Sequence, residues 1–272
     1  MTAQGRVTQM GRMSGQCPPW VIFHVPHDST LVPSEVRQQI TLSDEDLAEE
    51  LVKMTDHLTL SLFASGMPDA QVVRAPVSRL VVDVERFEED QQESMAGRGM
   101  GAVYAVTSRL TSLRRPLHAG ERGDLMLTYY RPHHARLEAA VSAAVDACGR
   151  CLVIDCHSFP SVALPYELAD PDVGRPDICI GTDAFHTSAE LASAFVSAFQ
   201  REGWSVSLNA PFAGALVPNS RYQQDRRVSA VMVEINRGLY IHEHDGTPLP
   251  TFPYVASRIK NCCLAAVAAS NS

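Results

Sequence analysis

Two kinds of apolar pattern alternate along the chain. Short β-branched runs read as strands buried in a sheet, and longer stretches with apolar positions three or four apart read as helices. Val21 to His24 is the first strand, and Leu152-Val153-Ile154 leads a second into Asp155-Cys156-His157-Ser158. Between them the pattern predicts a helix from Ser43 to about Ala64, with Ser43 as N-cap and Asp44, Glu45 and Asp46 in its first turn. Its buried stripe is Leu47, Leu51, Met54, Leu58 and Leu62. Gln71 to Arg74 and Leu80 to Val84 read as short strands around Pro76, and Glu88 to Gly101, without periodicity, as a surface loop. Pro132 opens a helix that stops at Gly149. Asp177 to Ile180, Trp204 to Leu208 and Val228 to Ile235 are further strands, Ser188 to Glu202 a helix, and a last helix starts near Tyr254.

Strands alternating with helices predict one α/β domain over residues 18–272, with a central sheet covered on both faces, after a flexible segment over 1–17. A chain of 272 residues can bury such a core without disulfides. A net charge of −8 argues against nucleic acid or an anionic membrane surface as partner. No apolar run reaches the roughly 20 residues that span a bilayer. The polar start lacks a signal peptide, so a cytoplasmic location is expected. The seven cysteines are odd in number and read as reduced thiols, including Cys262 and Cys263 in the last helix. Cys148-x-x-Cys151 has knuckle spacing but no second pair to complete a metal site.

The polar residues that end the strands carry the chemistry. A cluster at the carboxyl end of a buried strand sits on the ligand-binding rim of an α/β sheet. His27, in Val25-Pro26-His27-Asp28-Ser29, and His157 are therefore the leading imidazole donors for a metal. Asp28 or Asp155 would orient a ring from behind. The competing reading makes His24 and His157 core histidines. Glu234 stands within the apolar run Val231-Met232-Val233-Glu234-Ile235. A buried lone carboxylate is costly unless paired or functional, and in a metal hydrolase it would be the general base. There is no HExxH motif.

Taken in order, these segments resemble the N-formylglutamate amidohydrolases. The pieces are Val25 to Ser29, Thr55-Asp56, Ser78 to Asp83 with Arg86, Pro132-His133-His134, Asp155 to Ser158, Asp177 to Thr182, Pro211 to Gly214 and Glu234 to Tyr240. The resemblance implies a fold like that of the zinc carboxypeptidases (phosphorylase/hydrolase-like), a mixed sheet with the metal at its carboxyl rim. It implies His27, His157 and Asp56 as ligands of Zn2+, with iron, manganese or cobalt as alternatives in such a set. It also implies Glu234 as the catalytic carboxylate. On a continuous helix Asp56 lies opposite the apolar stripe, so Asp28 is the alternative acidic ligand. The chain departs from the family with Asp28-Ser29-Thr30 after His27, where Ser-Gly is usual, and with Glu85, where Asn is usual.

The implied substrate is a small N-acyl amino acid cleaved at its amide, as in histidine catabolism. Its carboxylates call for arginine forks, and Arg79, Arg86 and Arg237 are the candidates, with Asn236 and Ser158 beside them. Arg79 or His134 would stabilise the oxyanion. Gly97 to Gly101 lacks the Lys-Ser/Thr of a phosphate loop and suits a lid over the site. A zinc peptidase or peptidoglycan amidase on the same scaffold, and a non-catalytic binding relative, are the competing classes.

Overall fold

The computed structural model describes residues 17–167 and 174–270, and the expected flexible segment falls outside them apart from buried Cys17. In chain order the elements are β1 (Val21–Val25), α1 (Ser34–Arg37), α2 (Asp44–Met54), α3 (Thr59–Phe63), β2 (Val72–Arg74), α4 (Glu121–Leu125), α5 (Arg131–Cys148), β3 (Cys151–Phe159), β4 (Ile178–Gly181), α6 (Ala189–Arg201), β5 (Val206–Leu208), β6 (Val228–Asn236) and α7 (Phe252–Ala269). The sheet order is β2-β1-β3-β6-β4-β5. β2, β1, β3 and β6 run parallel, while β4 is antiparallel to β6 and carries β5 parallel to itself. The mixed sheet expected from the sequence is thus present.

Strand alternation divides the core. Val21, Phe23, Ile154, Cys156, Val231 and Val233 face α3, α6 and α7, and Ile22, Val153, Val228 and Ala230 face Leu137, Val141 and Val145 of α5. That second face turns polar toward the carboxyl ends. On β3 it continues from Cys151 and Val153 to Asp155 and His157, and on β6 from Ala230 to Glu234. The side-chain period of two puts these polar groups beyond α5, under a cap built from residues 75–130 with its own apolar clusters.

Several predicted boundaries move. The helix expected over 43–64 is two helices, broken after Met54, with Leu58 in the left-handed region at φ 63°. Hydrogen bonds favour the break: the Thr59 hydroxyl donates to the Asp56 carbonyl, and the Asp56 backbone amide donates to the His27 carbonyl at 2.9 Å. Leu80 to Val84 is a turn rather than a strand: the Leu80 amide donates to the Ser78 hydroxyl, those of Val81 and Val82 to the Ser78 carbonyl, and that of Asp83 to the Ala102 carbonyl. Loop 88–101 is partly interior, with Met100 fully buried and Glu93 accepting from the Phe87 and Met95 amides. A stretch of helix over 121–130, the last five residues with π-type turns, leads into α5 and was not foreseen. All described cysteines are free, Cys148 exposed and Cys151 buried.

Candidate active site

Beneath the cap lies a cavity of about 500 Å³, lined by His27, Asp56, Arg79, Glu85, Arg86, Asp155, His157, Ser158, Glu234 and Arg237 among others. His27 sits two residues beyond β1, Asp56 in the break between α2 and α3, His157 on β3. One donor atom from each of these three buried residues lies within 4.8 Å of the others. Asp56 Oδ2 is 3.2 Å from His157 Nδ1 and 3.6 Å from His27 Nδ1. The broken helix turns Asp56 inward: it is 1% exposed and lines the cavity. Asp28 pairs with Arg74 outside it, where burial pushes its carboxyl up to about 6.

Each donor is held from behind. His27 Nε2 hydrogen-bonds Asp83 Oδ1 at 2.7 Å, which leaves Nδ1 buried and without a hydrogen-bond partner. His157 Nε2 stands 3.1 Å from Asp155 Oδ1. Asp56 Oδ1 accepts from Arg237 at 2.7 Å, and Oδ2 from the Ser158 amide. Burial alone would raise the Asp56 pKa, but the His157 hydrogen bond, the adjacent His27 ring and the Arg237 charge hold it well below the carboxylate range. Two imidazoles and an ionised carboxylate, with a partnerless nitrogen aimed among them, are a set that fits a tetrahedral transition-metal ion with one open position.

Glu234 is the register partner of His157 across β3 and β6. Its Oε2 is buried with no hydrogen bond among the described residues, and burial pushes its carboxyl up to about 8. A carboxyl titrating near neutrality beside a donor trio can take a proton and return it.

Residues 20–241 match the sequence profile of the N-formylglutamate amidohydrolases. The chain belongs to that family. It is 27% identical to an N-formylglutamate deformylase of Pseudomonas aeruginosa over 237 residues, 82% of each chain. The crystal structure of an N-formylglutamate amidohydrolase from Ralstonia eutropha superposes with a TM-score of 0.80 at 20% identity, covering 93% of this chain and 94% of that one. A gene product of Agrobacterium tumefaciens superposes at 0.62, also 20% identical, with 90% of each chain covered.

The remaining residues singled out in the family resemblance divide. Arg79 and Arg86 line the cavity, and both converge on Asp83, at 3.0 Å and 3.6 Å. Arg237 is engaged on every side: its guanidinium donates to Asp56, to the Ser158 hydroxyl and carbonyl, and to the Lys53 carbonyl. Arg237 and Ser158 both hold Asp56 and also line the cavity. His134 lies outside the cavity lining, its Nε2 on the Val84 carbonyl at 3.0 Å, so the oxyanion role expected of it has no geometry here. Burial pushes its pKa down to about 4. Asn236 is likewise turned away, donating to the Pro176 carbonyl and accepting from the Gly238 amide.

Asp83 was missed as a site residue. Besides His27 it accepts from Arg79, the Glu85 amide and the Tyr104 hydroxyl. Its signals in the sequence were the spacing Arg79-x-x-x-Asp83-x-x-Arg86 and its place in the Ser78 to Asp83 segment of the resemblance. Among the described residues no helix is long and apolar enough to cross a membrane.

Proposed function

We propose that the cavity hydrolyses the acyl amide of a small N-acyl amino acid, N-formylglutamate first among them, to formate and the free amino acid. The observation that carries this reading is the convergence of His27, Asp56 and His157 beside Glu234 in one cavity with Arg79 and Arg86. The trio would hold a divalent ion, zinc by its donor set, whose charge polarises the acyl oxygen and acidifies water when it is bound. Glu234 accepts the proton of the attacking water and returns it to the departing amine, as its raised pKa suits it to do. Arg79 and Arg86 line the cavity, held by Asp83 and, for Arg86, Glu93, and bind the substrate carboxylate. Asp83 and Arg237 keep His27 Nδ1 and Asp56 aimed at the centre, so that little reorganisation is left for the reaction.

The test joins elemental analysis of the purified protein to a formate-release assay on N-formylglutamate, with N-formylaspartate and N-acetylglutamate as comparisons. Activity on N-formylglutamate that chelation abolishes and zinc restores is expected. Full activity after the metal is stripped would overturn the proposal.

A further inference from the structure

Behind the His27 trio lies a second knot of donors. His24 on β1 and Asp155 on β3 are register partners, and Glu85 reaches them from the cap. His24 Nδ1 is 2.8 Å from Asp155 Oδ1 and 3.1 Å from Glu85 Oε1. His157 Nε2, the nitrogen facing away from Asp56, is 3.1 Å from Asp155 Oδ1 and 3.8 Å from Glu85 Oε1. His24 and Asp155 are fully buried, and Glu85 and Asp155 both reach the cavity.

With both imidazoles neutral, protons alone do not satisfy this group. A ring nitrogen carries at most one hydrogen, and that of His24 Nδ1 goes to Asp155. Glu85 Oε1 is buried against the same nitrogen without a hydrogen bond, and so is His157 Nε2, on a residue only 4% exposed. The opposite tautomer of His24 is worse for a proton-only account. If His24 Nε2 donates to His133 Nε2, 2.8 Å away, a bare Nδ1 lone pair faces two carboxylate oxygens. A buried carboxylate oxygen without a partner is costly, and a cation at the centre would satisfy all four atoms. Donors about 2.1 Å from a shared tetrahedral centre stand roughly 3.4 Å apart, and the four separations scatter around that value. His133 would then fix the His24 tautomer from behind, as the outer partners of metal-bound histidines do.

We propose that His24, Glu85 and Asp155, completed by His157 Nε2, form a second site for a divalent transition-metal ion; when both sites are filled, the His157 ring releases its remaining proton to solvent and bridges them as imidazolate. The inference stands whichever ion the first trio holds. Its occupant ties β1, β3 and the cap together behind the reaction centre.

The protein is stripped with a chelator, reloaded with Zn2+ and freed of excess, and zinc per chain is measured for the wild type, Glu85→Gln and His27→Ala. Thermal melts check that the variants fold, and an anomalous difference map of wild-type crystals at the zinc edge locates the ions without any variant. Two ions in the wild type and one in each variant are expected. One ion lost in Glu85→Gln but kept in His27→Ala would support this site and sink the His27 trio. One ion lost in His27→Ala and kept in Glu85→Gln would overturn the second site and leave the first standing. No bound ion at all would overturn both.

Discussion

Replacing Glu234 by glutamine tests the proposed base and, separately, the cost of this residue to the fold. The substitution keeps shape and removes a charge at a position 7% exposed, with one oxygen that no group in the described structure satisfies. Loss of the general base predicts a fall in kcat of roughly 10²–10⁴-fold, with metal content unchanged. Stability should move the other way. Burial raises the Glu234 pKa from 4.5 to about 8, so the native state keeps a proton that the unfolded chain releases. Between those values the native state binds more protons, and stability falls as pH rises. At pH 7 the accumulated cost is on the order of 3 kcal/mol, taking 1.36 kcal/mol per pH unit above 4.5. Glutamine removes that cost, which for a chain of this length corresponds to a gain in Tm of roughly 5 °C. The assay is a melting curve at successive pH values on metal-stripped protein, because a bound cation would lower the Glu234 pKa. Wild type and variant should match near pH 4.5 and separate steadily toward pH 8. Parallel curves, or a variant less stable than the wild type at pH 7, would refute the reasoning.

Three other perturbations probe the supports of the site. Asp83→Asn weakens the 2.7 Å contact that sets the His27 tautomer, and should lower metal affinity about 10–100-fold in a chelator competition. Arg237→Met leaves Asp56 buried without its 2.7 Å partner. Chemical denaturation should show a loss of about 3–5 kcal/mol, and an unchanged midpoint would show that Asp56 does not need it. Gly181→Ala brings a methyl group to 2.6 Å from the Gly214 carbonyl and against the Met232 side chain. Pressing on the 211–217 wall of the cavity, it should raise KM more than it lowers kcat in steady-state assays, and cost about 1–3 kcal/mol.

The amino-acid order alone determined the strands of the central sheet and the polar residues that end them, though the same apolar pattern at Leu80 to Val84 forms a turn. Continuous apolar runs are legible because a strand buried on both faces has no polar position to interrupt it, so His27, His157 and Glu234 stood out as exceptions. The helix over 189–201 with its Ser188 cap, and the one ending at Gly149, were legible because caps are local chemistry. Tertiary structure decided what depends on distant partners. Asp56 points inward because the chain breaks after Met54, and its anchor Arg237 is 181 residues away. On a continuous helix the same carboxylate would face water. Arg237 and Asn236 sit in matched segments, yet their donors are taken by groups that only folding brings near. Asp83 reaches His27, and Glu85 His24, because Leu80 to Val84 is a turn rather than the expected strand. A period of two or 3.6 reports which face is buried; which polar group meets which across the sheet is decided only by long-range packing.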